Sequence, residues 1–423
     1  MGKKNSTPKT NIFVTGGWGY GNIGDDAILL ATLNSVHERL PDAALHLTSF
    51  SPQETKFHHS LGSIYSFHYY LDLRNWRGRL TFIRFTIWLA LRLFGIRAPG
   101  LVGQGFAELL NQLEDADLVL MAGGGYFNDR WRGSFLARIA EICASKAAGK
   151  PVIVYGQTVG PFVSKLARIL MPRVLKFVDR VAYRDVQSEQ VLRSFRYPMS
   201  RAVLTADEAN LISVAVGEKR IGTQSEAALP RIGVMIQKFR PYEGADGTKP
   251  FSLVADEGVY FATIVDALVS LGRDLCTDYV FLPSTTWDID FCNSVREKVQ
   301  EKLDKTFELV VDRPVAEYLE CCRSVDLMLS TNMHPIILAS AAGVPCVAIS
   351  YFYKVDDFMD SIGLSEFVIR IDEVTESGVV DLVKLALKSK SRIGEQMLTD
   401  LEVVRSRARK NADQLVALAA ASA

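Results

Sequence analysis

Short apolar runs, set apart by glycine-rich or polar turns and by helical patterns, recur along most of this 423-residue sequence. A first array holds Ile12-Phe13-Val14-Thr15, Leu45-His46-Leu47-Thr48, Asp117-Leu118-Val119-Leu120-Met121, Pro151-Val152-Ile153-Val154-Tyr155 and Arg180-Val181-Ala182-Tyr183. Continuous β-branched and apolar runs of this length read as parallel strands buried on both faces. Helical spacing separates them, as at Leu29, Leu33, Val36 and Leu40. A second array repeats the scheme with Ile232-Gly233-Val234-Met235-Ile236, Tyr279-Val280-Phe281-Leu282, Leu309-Val310-Val311, Asp326-Leu327-Met328-Leu329 and Cys346-Val347-Ala348-Ile349.

Two such βα arrays predict two doubly wound, Rossmann-like α/β domains facing each other across a cleft. The first domain is expected over 1–216, with an inserted basic aromatic segment at 71–100, and a polar linker over 217–230. The second is expected over 231–375, followed by helices over 376–423 that carry Arg405, Arg407, Arg409 and Lys410 on a solvated portion. Ligands of such sheets bind beyond the carboxyl ends of the strands, so functional residues should follow the runs above.

Composition narrows the partners. Forty-eight basic residues balance 48 acidic ones, which removes any bulk attraction to nucleic acid. Six cysteines occur without a C-x-x-C pair, so neither a zinc site nor a redox motif is expected, and no metal or other cofactor. The first ten residues are basic and polar and lead straight into a strand, unlike a secretory signal. The expected compartment is the reducing cytoplasm.

The first strand runs into Gly16-Gly17-Trp18-Gly19-Tyr20-Gly21-Asn22-Ile23-Gly24, in which Gly19, Gly21 and Gly24 satisfy G-x-G-x-x-G. A dinucleotide site is disfavoured. The second strand ends in Thr48-Ser49-Phe50 rather than an acid, and Asp25 and Asp26 at the helix start would repel a pyrophosphate. Close-approach glycines rimmed by acids suit a neutral polyol, with Asn22, Asp25 or Asp26 holding or deprotonating a sugar hydroxyl. The alternative is that Asp25 caps the helix and the glycines make a tight turn. A second cluster, Gly123-Gly124-Gly125, and a third turn, Gly156-Gln157-Thr158-Val159-Gly160-Pro161, follow later strands of the same array.

His334 stands alone beyond residue 68, just past a strand at Ser330-Thr331-Asn332-Met333-His334 and at the opening of a helix. An imidazole there, beside hydroxyls and free backbone N–H groups, serves as a general acid or a phosphate partner. Asp288-Ile289-Asp290 looks like a metal-binding D-x-D, but its place at a helix start makes capping the better account.

Taken in order, GGWGYGNIGDDAIL from Gly16 to Leu29, Gly123-Gly124-Gly125, Gly156 to Pro161, Tyr183-Arg184-Asp185 and Ala206-Asp207 resemble the polysaccharide pyruvyl transferases. The block from His334 to Gly343, with Val344-Pro345, Ile349-Ser350-Tyr351, Lys354-Val355 and Phe358-Met359, is similar too. The resemblance implies a GT-B-like fold, as in the two-domain nucleotide-sugar glycosyltransferases, with phosphoenolpyruvate as co-substrate. It also implies a reaction in which a pyruvate ketal is added to a hexose of a cell-surface glycan or its lipid-linked precursor. His334 would be the acid–base residue, with Asp25 or Asp26 orienting the acceptor. Gly19, Gly21, Asn22, Gly24, Gly123, Gly124, Gly125 and Gln157 would help bind substrate.

Two positions depart from the family pattern, because Gln237 and Asn332 stand where arginine is usual. Phosphoenolpyruvate is strongly anionic, so replacement charge is expected from Lys238, Arg240, Arg313, Lys354 or Arg184. These departures keep two further readings open: a group transferase with a different anionic donor, and a non-catalytic relative that binds glycan precursors.

The segment 71–100 carries six arginines against one aspartate, a local charge of +5, together with Trp76, Phe82, Phe85, Trp88 and Phe94. Arg84 and Arg92 interrupt its apolar run, which argues against a membrane-spanning helix. Two readings stand side by side. One is a helix lying on the inner face of an anionic membrane; the other is a core helix whose arginines reach out to water.

Overall fold

The computed structural model describes residues 10–129, 132–212, 229–241 and 256–422. The expected linker 217–230 lies outside the described residues except for Leu229 and Pro230. The chain forms two compact units. One comprises Met1–Tyr20, Ile28–Glu208 and Arg407–Ala423; the other comprises Gly21–Ala27 and Ala209–Ser406.

The first unit is built on a parallel sheet of β1 (Asn11–Thr15), β2 (Ala44–Ser49), β3 (Ile64–Tyr65), β4 (Leu118–Met121), β5 (Gly124–Phe127), β6 (Val152–Val159), β7 (Arg180–Tyr183) and β8 (Ala202–Leu204). Its order is β3-β2-β1-β4-β6-β7-β8, with β5 paired to β6. Val14 lies opposite Leu47 on one side and Leu120 on the other. The direction of winding reverses between β1 and β4, so the loops that follow these two strands meet at the switch point where doubly wound sheets bind ligands.

Strand residues alternate between two cores. Phe13, Val119 and Met121 enter one. Ile12, Val14, Leu118 and Leu120 enter the other, where Leu415 and Leu418 of the long helix Lys390–Ser422 also pack. This burial explains why the end of the C-terminal helix belongs to the first unit.

The second unit repeats the winding. Strands β9 (Arg231–Met235), β10 (Asp278–Phe281), β11 (Glu308–Leu309), β12 (Leu327–Ser330), β13 (Cys346–Ser350) and β14 (Val368–Arg370) run in the order β11-β10-β9-β12-β13-β14, all parallel. The reversal falls between β9 and β12, where Val234 lies opposite Leu329. Gln237 and Lys238 therefore leave one side of the switch point, and Asn332 and His334 the other.

Two expected turns are strand. β6 runs on through Gly156 to Val159, because Gly156 takes a φ of 62° and absorbs a register shift between Val154 and Gln157. The extension gives β5 something to pair with, so Gly124 and Gly125 open a strand in which Gly124 is opposite Gln157.

Candidate active site

The candidate site is assembled inside the second unit, from the start of helix Ile23–Arg39 and the segments that follow β9, β10 and β12. Gly21 and Asn22 lie along the segment after β10. Asn22 bridges antiparallel to Thr285, the Thr286 amide donates to the Gly21 carbonyl at 3.0 Å, and the Ile23 amide donates to the Ser284 carbonyl at 3.0 Å. Gly21 has a φ of 72°, and a Cβ there would stand 2.3 Å from the Thr286 methyl. Only glycine lets the two segments approach so closely.

Asn22 closes the helix start. Its Oδ1 accepts from the Gly24 amide at 3.0 Å and its Nδ2 donates to Asp25 Oδ2 at 2.7 Å. The cap is thus Asn22, and Asp25 is its partner. Asp25 and Asp26 are 5% and 7% exposed, so they are buried in the first turn and do not rim the loop as expected.

His334 occupies the first turn of helix Met333–Ala341. Its ring lies flat against the backbone of Gly24: a Cβ built there would be 2.2 Å from Nδ1 and 2.3 Å from Cγ. The fold thereby brings His334, Gly24, Asn22 and Asp25 together. Within the same cluster, Asn332 Nδ2 donates to Ser284 Oγ at 2.7 Å and to Asp288 Oδ2 at 3.3 Å. Asp288 also accepts from Thr285 Oγ1 at 2.6 Å. Burial pushes the Asp288 carboxyl up, while the Thr285 hydrogen bond and the Arg240 charge oppose the shift.

Asp288 is the residue before helix Ile289–Leu303, but its side chain makes no capping hydrogen bond. The capping account of Asp288 is corrected: its carboxylate is spent on Ser284, Thr285 and Asn332. Those contacts went unread in the sequence, although Ser284, Thr285 and Thr286 follow β10 just as the other candidates follow their strands. Among the described residues, no group of three or more His, Cys, Asp or Glu side chains is placed to hold a metal ion.

The other candidates in this unit differ in setting. Gln237 is 3% exposed, its amide N–H donates to Thr331 Oγ1 at 3.0 Å, and its Nε2 is buried without a protein partner among the described residues. Lys238 is exposed and pairs with Glu257 at 3.1 Å. Arg313 pairs with Glu317 at 2.9 Å. Lys354 lies over the Phe352 ring, 5.3 Å from its centroid.

The remaining candidates belong to the first unit. Gly19, at a φ of 86°, packs its Cα where a Cβ would be 2.2 Å from Ser49 Oγ. Gly123 faces the Gly156 carbonyl, Gly124 lies under the Tyr126 ring, and Gly125 is exposed. Gln157 is fully buried and donates to the Ala122 carbonyl. Arg184 is held by Thr158 Oγ1 at 3.0 Å and by an ion pair with Asp207. Arg138, which the sequence reading missed, lies beneath the first glycine loop. Its guanidinium reaches Thr15 Oγ1 at 2.8 Å, Glu141 at 2.7 Å and the Gly16 carbonyl at 3.1 Å, and it sits over the Tyr126 ring.

Comparison with known proteins identifies the fold and the family. The UDP-GlcNAc 2-epimerase of Neisseria meningitidis bound to UDP-GlcNAc aligns at a TM-score of 0.59 and 10% identity, over 96% of this chain and 99% of that one. Anabaena HepE in complex with UDP-glucose aligns at 0.57 and 12% identity, over 98% of this chain and 100% of that one. At such identities the likeness is one of fold, the GT-B arrangement of two Rossmann-like domains. In sequence, the chain is 23% identical over 413 residues to the amylovoran biosynthesis protein AmsJ of Erwinia amylovora, covering 92% of this chain and 95% of that protein. The model of one family, polysaccharide pyruvyl transferase, matches residues 22–351, from the asparagine that caps the first helix to the residue after β13. That match covers most of the sequence, and the chain belongs to the polysaccharide pyruvyl transferase family.

Proposed function

We propose that this protein transfers pyruvate from phosphoenolpyruvate, as a ketal, to a hexose of a cell-surface polysaccharide or its lipid-linked precursor. The observation that supports it most is the seating of His334 against Gly24, one residue from Asp25. The reaction asks for an acid and a base close together. The methylene carbon of the donor takes a proton, and an acceptor hydroxyl oxygen bonds to the adjacent carbon and gives up its own proton. Phosphate then leaves with the electrons of its C–O bond, and a second hydroxyl closes the ketal by bonding to the same carbon and passing its proton to the His334 imidazole. His334 supplies the first proton, and Asp25, ordered by Asn22, or its neighbour Asp26 receives the one from the hydroxyl. The buried Gln237 Nε2 offers a donor to the anionic substrate, with Lys238 next to it in sequence and Lys354 of the same unit as candidate cations. No metal or other cofactor enters this scheme.

A second reading is a group transferase with another anionic donor. It draws on the neutral side chains of Gln237 and Asn332, the latter committed to Ser284 and Asp288, and on the nucleotide-sugar complexes among the structural neighbours. The test is incubation with phosphoenolpyruvate and a panel of lipid-linked saccharides, following phosphate release and a pyruvate mass increment on the acceptor. Turnover that disappears in His334→Ala, with the fold retained, is the expected result. Absence of turnover together with no calorimetric binding of phosphoenolpyruvate overturns the donor assignment, and binding of a UDP-sugar instead selects the second reading.

A further inference from the structure

The segment expected either to lie on an anionic membrane or to be a core helix with arginines reaching water has one buried face and one exposed face. Helix Trp76–Leu93 buries Gly78, Phe85 and Trp88 in the first unit, and Gly78 fits so closely that a Cβ would be 2.0 Å from the Asp72 carbonyl oxygen. At 100° per residue these side chains define the inner face. The opposite face should be polar, yet it carries a second apolar stripe. Trp76, Leu80, Ile83, Ile87 and Phe94 fall at spacings of four, three, four and seven residues and are 69%, 37%, 56%, 51% and 84% exposed. Exposed apolar side chains scattered singly are ordinary; a continuous stripe along five turns of helix marks an interaction surface.

Charge identifies the partner. Arg77, Arg79 and Arg84 flank the stripe and are exposed, and no carboxylate lies on the helix itself. The other arginines of the segment are committed: Arg74 to Asp72 at 2.8 Å, Arg92 and Arg97 to Glu114 at 2.9 and 2.6 Å. The three flanking arginines have no such acid among the described residues. The combination recurs on helix Lys165–Val174, which packs on helix Arg132–Ala147 as helix Trp76–Leu93 does. There Leu166 and Ile169, with Val163 just before the helix, are 59%, 56% and 63% exposed beside Lys165, Arg168 and Arg173. A second copy of this chain, packed stripe to stripe, would oppose arginine to arginine with no acid between them. Among the described residues, no helix is long and apolar enough to cross a bilayer.

We infer that helix Trp76–Leu93 lies in the interface of an anionic lipid bilayer, its outer stripe among the acyl chains and Arg77, Arg79 and Arg84 on the headgroups. The surface is independent of the transfer chemistry, so either can fail alone.

Co-sedimentation of the full chain with vesicles of phosphatidylglycerol in phosphatidylcholine, against phosphatidylcholine alone, tests it. Binding at least tenfold tighter to the anionic vesicles, and weakened by salt, is expected. The triple change Arg77→Gln, Arg79→Gln, Arg84→Gln should cost about fivefold per arginine, roughly a hundredfold in all. Ile83→Ser with Ile87→Ser should weaken binding at least tenfold. All five positions are exposed, so melting temperatures should match the parent's. The inference is overturned if the parent ignores anionic vesicles, or if both variants bind them as the parent does. It is overturned equally if the stripe change instead converts a dimer in solution to monomers, which would give this face to a second copy.

Discussion

The imidazole of His334 rests on the Cα of Gly24, so closely that a Cβ at position 24 would stand 2.2 Å from Nδ1. The same glycine donates its amide hydrogen to Asn22, whose other side-chain atom holds Asp25. One backbone position therefore links the two groups proposed for proton transfer.

Gly24→Ala should displace the His334 ring while leaving the helix start capped by Asn22. A shift of about 1 Å in a catalytic group costs on the order of a hundredfold in turnover. Steady-state kinetics should show kcat reduced at least tenfold with little change in melting temperature. A fully active Gly24→Ala would separate His334 from the chemistry.

Asp25→Asn should remove the anionic partner of the Asn22 amide and the proposed proton acceptor together. Turnover should fall by about a hundredfold or more, in the range of general-base removal. Asp26→Asn under the same assay shows which of the two acids takes the proton. The one whose removal leaves kcat within a factor of a few is excluded.

Asp288→Ala should leave the Thr285 hydroxyl and the Asn332 amide short of their shared acceptor. Loss of a buried charged acceptor costs about 1–3 kcal/mol, measurable as a lower urea midpoint. Because Asn332 precedes the helix that carries His334, kcat should fall as well. An unchanged midpoint and unchanged kcat would show that the cluster does not organise that turn.

Burial pushes the Glu208 carboxyl up to about 8, against the opposing pull of Tyr155 and Asn411. The unfolded glutamate ionises near about 4.3, so from there up to the folded value the unfolded chain has released a proton that the folded chain keeps. Stability should be highest below that range and fall through it, levelling above the folded value. Glu208→Gln should flatten the slope of melting temperature between pH 5 and 8. Parallel curves for parent and variant would show that Glu208 does not carry it.

Much of the architecture was legible in the residues, for a physical reason. Strands such as Leu118–Met121 and Leu327–Ser330 are buried along their whole length, so they leave continuous apolar runs. Strands Ile64–Tyr65, Ala202–Leu204 and Val368–Arg370 went unread because two or three partly buried residues carry no period. Gly124–Phe127 and the end of β6 looked like turns because glycine usually breaks a strand; here the φ of Gly156 carries the strand through a bulge. Site residues that follow strands could be nominated, but their pairings could not. Arg184 reads as a spare cation until Asp207 is seen on it, and Asp288 reads as a cap until Asn332 is seen above it.

By itself, the sequence determined two parallel βα windings and the candidates His334, Asp25 and Asp26, because periodicity, turn chemistry and helix starts are local properties. The tertiary structure alone decided which groups meet. The switch point between β9 and β12, and the return of Gly21–Ala27 to the second unit, bring positions 24, 288, 332 and 334 together. It also decided which face of helix Trp76–Leu93 is spent on the core and which stays exposed. Both outcomes depend on contacts between residues distant in the chain, and no local pattern encodes those.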